Sequence, residues 1–146
     1  MKILVHFKPA KELNNFEGAR LRKTIKGALE MIGVEHTSNT IDAYSIAHLI
    51  APSDEKIIDE AKEYKVPVVA SALYTEDDPS ASYLDEKITD GKKKVILKPK
   101  ALKFLNKVDL VLVPAEENVT FLKQFGVITP IKVCKVGVNL ARFNFS

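Results

Sequence analysis

The sequence predicts an α/β domain in which a mostly parallel sheet of about six strands is covered by helices on both faces. Two observations predict this fold. Short runs rich in valine and isoleucine alternate along the chain with segments whose apolar residues recur at helical spacing. The chain also has 146 residues, 46% of them hydrophobic, which is enough for one core. The arrangement is a Rossmann-like, three-layer α/β/α domain.

The first half of the chain supplies four of the predicted strands and two helices. Apolar residues recur at helical spacing from Leu21 to Ile32, and Gly33 is placed to end that helix in the left-handed conformation. Pro52 and Ser53 are typical of the start of a second helix. The residues of that helix predicted to face the sheet are Ile57, Ile58, Ala61 and Tyr64. The strands are predicted at residues 3–7, 34–37, 45–50 and 66–70.

The second half opens with residues 71–94, which lack a clear period and are predicted to form a long loop with at most one helical turn. Pro99 suits the first turn of a helix, and Gly126 ends a further helix over residues 116–125. The last two strands are predicted at residues 109–113 and 131–136. Cys134, the single cysteine, lies in that last apolar run and is therefore predicted to be buried.

Composition and motifs exclude several functions. No apolar run approaches the roughly 20 residues of a membrane span, and the start lacks the features of a signal peptide. We therefore expect a cytoplasmic protein, peripheral on the inner face of the membrane at most. The three histidines and one cysteine have no zinc-site spacing, so no metal site is predicted. A dinucleotide fingerprint needs three glycines after the first strand, but that loop holds only Gly18, so no cofactor is expected.

The carboxyl ends of the strands are the predicted ligand edge, because ligands of open parallel sheets bind there. Residues 8–20 form an unusually long connection after the first strand, and Gly18 near its end allows a close approach. Arg20 opens the next helix, where a cation is disfavoured unless an anion or carboxylate accompanies it. A ligand contact and an ion pair with Glu17 are the two interpretations of Arg20. The acidic residues 76–78 fit either a sugar-binding loop or a solvated one.

A basic strip covers residues 92–107, which hold seven lysines and no acidic residue. The whole chain carries a formal net charge of only +3, so this +7 leaves −4 for the rest. Lysines interleaved with apolar residues are typical of a segment at an anionic bilayer surface, and a core-facing helix with solvated lysines is the alternative. Nucleic acid is disfavoured, because the strip holds one aromatic residue and no arginine. The predicted membrane-surface residues are Lys92, Lys93, Lys94, Lys98, Lys100 and Lys103.

Four motifs, taken in order, resemble the N-terminal, acceptor-side domain of the family-four glycosyltransferases. These are retaining sugar-nucleotide enzymes of the two-domain GT-B architecture. The motifs are Gly18-Ala19-Arg20 at the first helix, Thr75-Glu76-Asp77-Asp78 after the fourth strand, residues 101–114 with their Asp109-Leu110-Val111 strand, and residues 137–143, which are similar to the family's linker motif. The acidic loop is similar to that of members that act on membrane glycolipids in Gram-positive bacteria.

The resemblance implies that residues 1–136 are an N-terminal Rossmann-like domain and that residues 137–146 begin an interdomain linker. It implies a longer protein whose C-terminal domain holds most of the nucleotide-sugar donor, so this half alone is expected to be inactive. The implied activity of the whole protein is transfer of a hexose to a lipid or cell-surface glycan acceptor. The implied substrate-binding residues of this half are Gly18, Arg20, Ser71, Thr75, Glu76 and Asp77.

Two other functions stay open. Family members commonly carry histidines in the stretch matching residues 71–73, and this sequence has none there. One alternative is therefore a degenerate, non-catalytic glycosyltransferase subunit that serves an active partner. The other is a stand-alone, non-catalytic binding module of Rossmann-like or flavodoxin-like fold. No catalytic residue is predicted.

Overall fold

The computed structural model describes residues 1–6, 17–50, 55–72 and 84–134, with side chains for residues 1–6, 23–50, 55–72, 87–94 and 96–134. The linker predicted at residues 137–146 lies outside them. The elements in chain order are β1 (Lys2–His6), α1 (Glu17–Met31), β2 (Glu35–Thr37), β3 (Ile46–Ile50), α2 (Glu55–Glu63), β4 (Val68–Ser71), β5 (Leu84–Thr89), β6 (Lys92–Leu97), α3 (Pro99–Leu105), β7 (Leu110–Val113), α4 (Glu116–Gln124) and β8 (Ile131–Val133).

The main sheet has six strands in the order β2-β1-β3-β4-β7-β8, and every neighbouring pair is parallel. This confirms the predicted α/β class and its six-stranded sheet. Across the sheet, β2 is added on one side of β1, whereas β3, β4, β7 and β8 follow one another on the other side. Because parallel crossovers are right-handed, α1 covers one face, and α2, α3 and α4 cover the opposite one. The domain is a Rossmann-like α/β/α fold.

The main core lies between the sheet and the face that carries α2, α3 and α4. Alternate residues of the strands point into it, and Phe104 of α3 is its largest fully buried side chain, only 1% exposed. Burial of one such large side chain stabilises the fold by roughly 1.5–3 kcal/mol. The strand residues in this core are Leu4, Ala47, Leu49, Val68, Ala70, Val111 and Val113.

The ends of the helices confirm two of the sequence predictions and correct a third. Gly33 and Gly126 take positive φ angles of 73° and 95°, as predicted for helix-ending glycines. The prediction for Tyr64 is wrong, because α2 ends at Glu63 and Tyr64 is 76% exposed. Lys65 then turns the chain with a φ of 57°, in the place a glycine usually takes. The buried residues Ile57, Ile58 and Ala61 confirm the rest of the predicted face of α2.

A β-hairpin replaces part of the predicted long loop. Strands β5 and β6 pair antiparallel over the last part of residues 71–94 and continue to Leu97. Asp90 and Gly91 join them with φ angles of 54° and 74°, the two left-handed positions of a type I′ turn. Asp-Gly is a preferred sequence for that turn, so the dipeptide was the signal for this hairpin.

Cys134 is exposed, which corrects the prediction that it is buried. Its N–H donates to the carbonyl of Val113 at 2.8 Å, just after the edge strand β8. An edge strand is covered by a neighbour on one side only, so its apolar pattern does not guarantee burial.

Candidate functional site

The carboxyl edge of the sheet collects the ends of its parallel strands. His6 ends β1, Ile50 ends β3, Ser71 ends β4 and Val113 ends β7. The helices α1 and α4 begin at the same edge, because each follows the carboxyl end of a strand. The chain reverses direction between β1 and β3, which makes this edge the place where an open α/β sheet binds its ligands.

Ser71 is a buried, hydrogen-bonded polar side chain at this edge. It is 6% exposed, and its Oγ lies 2.7 Å from Nε2 of His48 on the neighbouring strand β3. The strand register pairs His48 with Val69 and Ile50 with Ser71, so the two polar side chains share one face of the sheet. The core residues occupy the other face, so this pair lies on the side that carries α1.

Electrostatics decide what the His48–Ser71 pair can do. Burial lowers the pKa of His48 from its ordinary value of 6.5 to about 4. At pH 7 the imidazole is therefore neutral, with roughly one molecule in a thousand protonated. A base whose conjugate acid has so low a pKa is weak, although the distance would suit a nucleophile and its base. The pair orients the Ser71 hydroxyl rather than activating it.

The charges at the start of α4 decide which kind of ligand this helix end favours. Ala115 caps this helix without a side-chain hydrogen bond, and Glu116 and Glu117 follow in the first turn, both exposed. Carboxylates are favourable beside the positive end of the helix dipole. They also repel a phosphate from it. This part of the carboxyl edge therefore suits a hydroxyl-bearing or cationic group better than an anion.

The structure brings three of the predicted substrate-binding residues to one edge. Gly18 and Arg20 lie in the first turn of α1, which begins at Glu17. The helix therefore begins within the loop that was predicted over residues 8–20. Ser71 ends β4 at the same edge. The other three, Thr75, Glu76 and Asp77, lie outside the described residues.

The predicted membrane-surface lysines divide between two elements. Lys92, Lys93 and Lys94 lie exposed on the hairpin strand β6, whereas Lys100 and Lys103 lie exposed on α3 and Lys98 immediately precedes it. Three apolar residues of α3, Ala101, Phe104 and Leu105, are buried in the core, and Leu102 packs against it half-buried. These buried side chains are therefore not available to a bilayer, and the membrane contact of the six lysines stays a prediction.

A concave surface also lies at the opposite, amino-terminal edge. It is a groove of about 650 Å³ between the segment before β3 and the end of α2. Burial and, to a smaller extent, the carboxylate of Glu60 raise the pKa of Tyr44, which stays a neutral phenol. No sequence motif indicated this groove. Its lining includes Ile41, Asp42, Tyr44, Glu60, Glu63 and Tyr64.

The described residues also bear on other functions. Within them, no three His, Cys, Asp or Glu side chains lie close enough together to hold a metal ion. None of the helices seen there has the length and apolar character needed to cross a membrane. No protein-family model and no curated protein matches the sequence of this chain.

Proposed function

We propose that this chain is the acceptor-binding half of a retaining glycosyltransferase that transfers a hexose from a nucleotide sugar to a lipid or cell-surface glycan acceptor. One observation carries the proposal. The start of α1, which holds the motif Gly18-Ala19-Arg20, and the end of β4 at Ser71 converge on the carboxyl edge of a sheet whose strand order reverses there. The motif Gly18-Ala19-Arg20 is one of the four on which the resemblance to the family-four enzymes rests.

The chemistry of this edge supports an acceptor more than a donor. Sugar and glycerol hydroxyls are bound by hydrogen-bonding side chains in partly buried clefts, and the neutral His48–Ser71 pair offers such a hydroxyl. Glu116 and Glu117 disfavour a phosphate at the start of α4. Among the described residues of this edge, the positive end of α1 favours negative charge, and Arg20 in its first turn adds a cation. A nucleotide sugar held by a second domain could present its phosphates there.

A non-catalytic binding module is the second candidate, and the groove at the amino-terminal edge favours it. That groove brings Tyr44 and Tyr64 together with carboxylates at the end of the sheet remote from Ser71. Aromatic and polar groups in one concavity are typical of binding sites. A function located there would leave the carboxyl edge without a ligand.

Hexose transfer by the full-length protein tests the proposal. The protein would be incubated with radiolabelled uridine or guanosine diphosphate hexoses and with lipids and cell-wall glycans extracted from its own host. Label in a lipid or glycan product is the expected result. No labelled product with any donor, either from the protein alone or with the proteins encoded beside it, would overturn the proposal and favour the binding module.

A further inference from the structure

We propose that the groove at the amino-terminal edge binds a peptide segment of a partner protein through an arginine side chain flanked by apolar residues. The groove lies between the segment before β3 and the end of α2. Its volume of about 650 Å³ is within the range of pockets that bind ligands. Peptide binding here goes beyond the proposed function and is compatible with it, because the groove and Ser71 lie at opposite edges of the sheet.

The charges that line the groove favour a cation. Glu60 and Glu63 lie three residues apart on α2, so they share one face of that helix. Asp42 lines the other wall, where Lys2 pairs with it at 3.3 Å. Among the residues that the structure describes, no lysine, arginine or histidine lines the groove. Like charges three residues apart on a helix repel each other, and a bound cation would relieve that repulsion.

The two tyrosines of the groove favour a guanidinium group over an ammonium group. Tyr44 is half-buried and packs against the core, so it is a fixed part of the wall. Tyr64 follows the end of α2 and is exposed, so its ring is accessible to a ligand. A guanidinium stacks on an aromatic ring and donates two parallel hydrogen bonds to one carboxylate, whereas an ammonium group acts as a point charge. Tyrosines beside glutamates therefore suit arginine better than lysine.

Exposed apolar residues at the same edge favour a peptide over a free small molecule. Ile41 lines the groove and is 90% exposed, so the neighbours of a bound arginine could cover it. Other large apolar side chains are exposed at this edge because they lie just before a strand or just after a helix. Exposed apolar residues that collect on one surface mark sites of protein interaction. The exposed set at this edge is Met1, Met31, Ile32, Ile41, Tyr64 and Ile128.

The size of each contribution sets what the variants should lose. An exposed ion pair contributes roughly two- to fivefold to an equilibrium constant, so Glu60→Gln together with Glu63→Gln should weaken binding about 10-fold. Stacking on an exposed ring contributes less, and Tyr64→Ala should weaken binding about threefold. Arginine and aromatic residues are also the side chains that most often dominate the binding energy of an interface. The groove therefore has the residues to hold one arginine as an anchor.

A chemical-shift titration of the isotope-labelled chain tests this inference. The probe is a short peptide, capped at both ends, with arginine between two leucines. The matched probe carries citrulline, which has the shape of arginine without its charge. The double variant Glu60→Gln and Glu63→Gln is compared with Glu116→Gln and Glu117→Gln, which removes two exposed glutamates of α4 and leaves the same net charge. The amide spectra also show whether each variant keeps its fold.

The expected result is a Kd below about 1 mM for the arginine peptide, with shift changes around Tyr44 and Tyr64, and about 10-fold weaker binding of the citrulline peptide. The groove variant should bind the arginine peptide about 10-fold more weakly, and the α4 variant should bind it as the wild type does. No binding, equal binding of the two peptides, equal loss in both variants, or shift changes confined to the carboxyl edge would overturn the inference. The titration involves no sugar transfer, so this inference and the proposed function can fail separately.

Discussion

His48 and Ser71 are joined by a hydrogen bond of 2.7 Å between Nε2 and Oγ, across two neighbouring parallel strands. The bond places a neutral imidazole beneath the carboxyl edge and fixes the hydroxyl at the end of β4. Both side chains are largely withdrawn from water, so the pair couples the stability of the sheet to pH and to the integrity of the candidate site.

The first prediction concerns acid stability. The pKa of His48 is about 4 in the folded protein, below its ordinary value of 6.5, so the unfolded chain binds a proton first as the pH falls. The stability that neutral His48 contributes is complete above pH 6.5 and is lost as the pH falls from about 6.5 to about 4. It amounts to about 3 kcal/mol, and urea unfolding at a series of pH values would measure it.

His48→Gln is the control for that experiment, because glutamine keeps a polar group but does not titrate. The variant is expected to lose less stability than the wild type over this window, since all other titrating groups are shared. Identical pH dependence of the two proteins would show that His48 is not held neutral by burial.

The second prediction concerns the hydroxyl itself. Ser71→Ala removes one partner of a buried hydrogen bond and should lower the free energy of unfolding by about 1–3 kcal/mol. Ser45→Ala, at an exposed serine in the segment before β3, should change it by no more than about 0.5 kcal/mol. Chemical denaturation measures both. Equal values for the two variants would contradict the buried pairing with His48.

The third prediction tests the core beneath α3. Phe104→Ala should cost about 3–5 kcal/mol of unfolding free energy, because it leaves a cavity between α3 and the sheet. Ile128→Ala is the matched control, since Ile128 is 84% exposed and its loss should be nearly neutral. Thermal or urea unfolding distinguishes them. A small effect at Phe104 would mean that α3 does not pack as a core helix.

The fourth prediction addresses the hairpin turn. Gly91 has a φ of 74°, so Gly91→Ala places a Cβ in the left-handed region and should destabilise the turn by about 1–2 kcal/mol. Amide hydrogen exchange of β5 and β6 should become about 5- to 30-fold faster. Gly27→Ala, in the middle of α1 with nothing near its new Cβ, should instead stabilise the protein slightly. Unchanged exchange in Gly91→Ala would contradict the type I′ turn.

Local patterns in the sequence were enough to predict the main sheet and the helices that cover it. Helix-ending glycines at Gly33 and Gly126 act through the backbone of a single turn, and the apolar spacing of Ile57, Ile58 and Ala61 reports one buried helix face. Such features depend on neighbours within a few residues. They could be predicted without knowing which strands pair.

Longer-range features could not be predicted in this way. The contact between His48 and Ser71 depends on the register of β3 against β4, which no local pattern encodes. The hairpin was missed because charged residues interrupt the alternation in β5 and β6, although Asp90-Gly91 was present. Tyr64 continues the apolar spacing of α2, but the helix ends one residue before it.

The central claim is that the carboxyl edge is the acceptor wall of a sugar-transfer cleft. Hexose transfer by the full-length protein is therefore best compared between Arg20→Ala, at the carboxyl edge, and Glu63→Gln, in the groove at the opposite edge. The account predicts that kcat/KM for the nucleotide sugar, whose phosphates Arg20 would meet across the cleft, falls at least about tenfold in Arg20→Ala and stays unchanged in Glu63→Gln. Unchanged transfer by Arg20→Ala together with a loss in Glu63→Gln would contradict it.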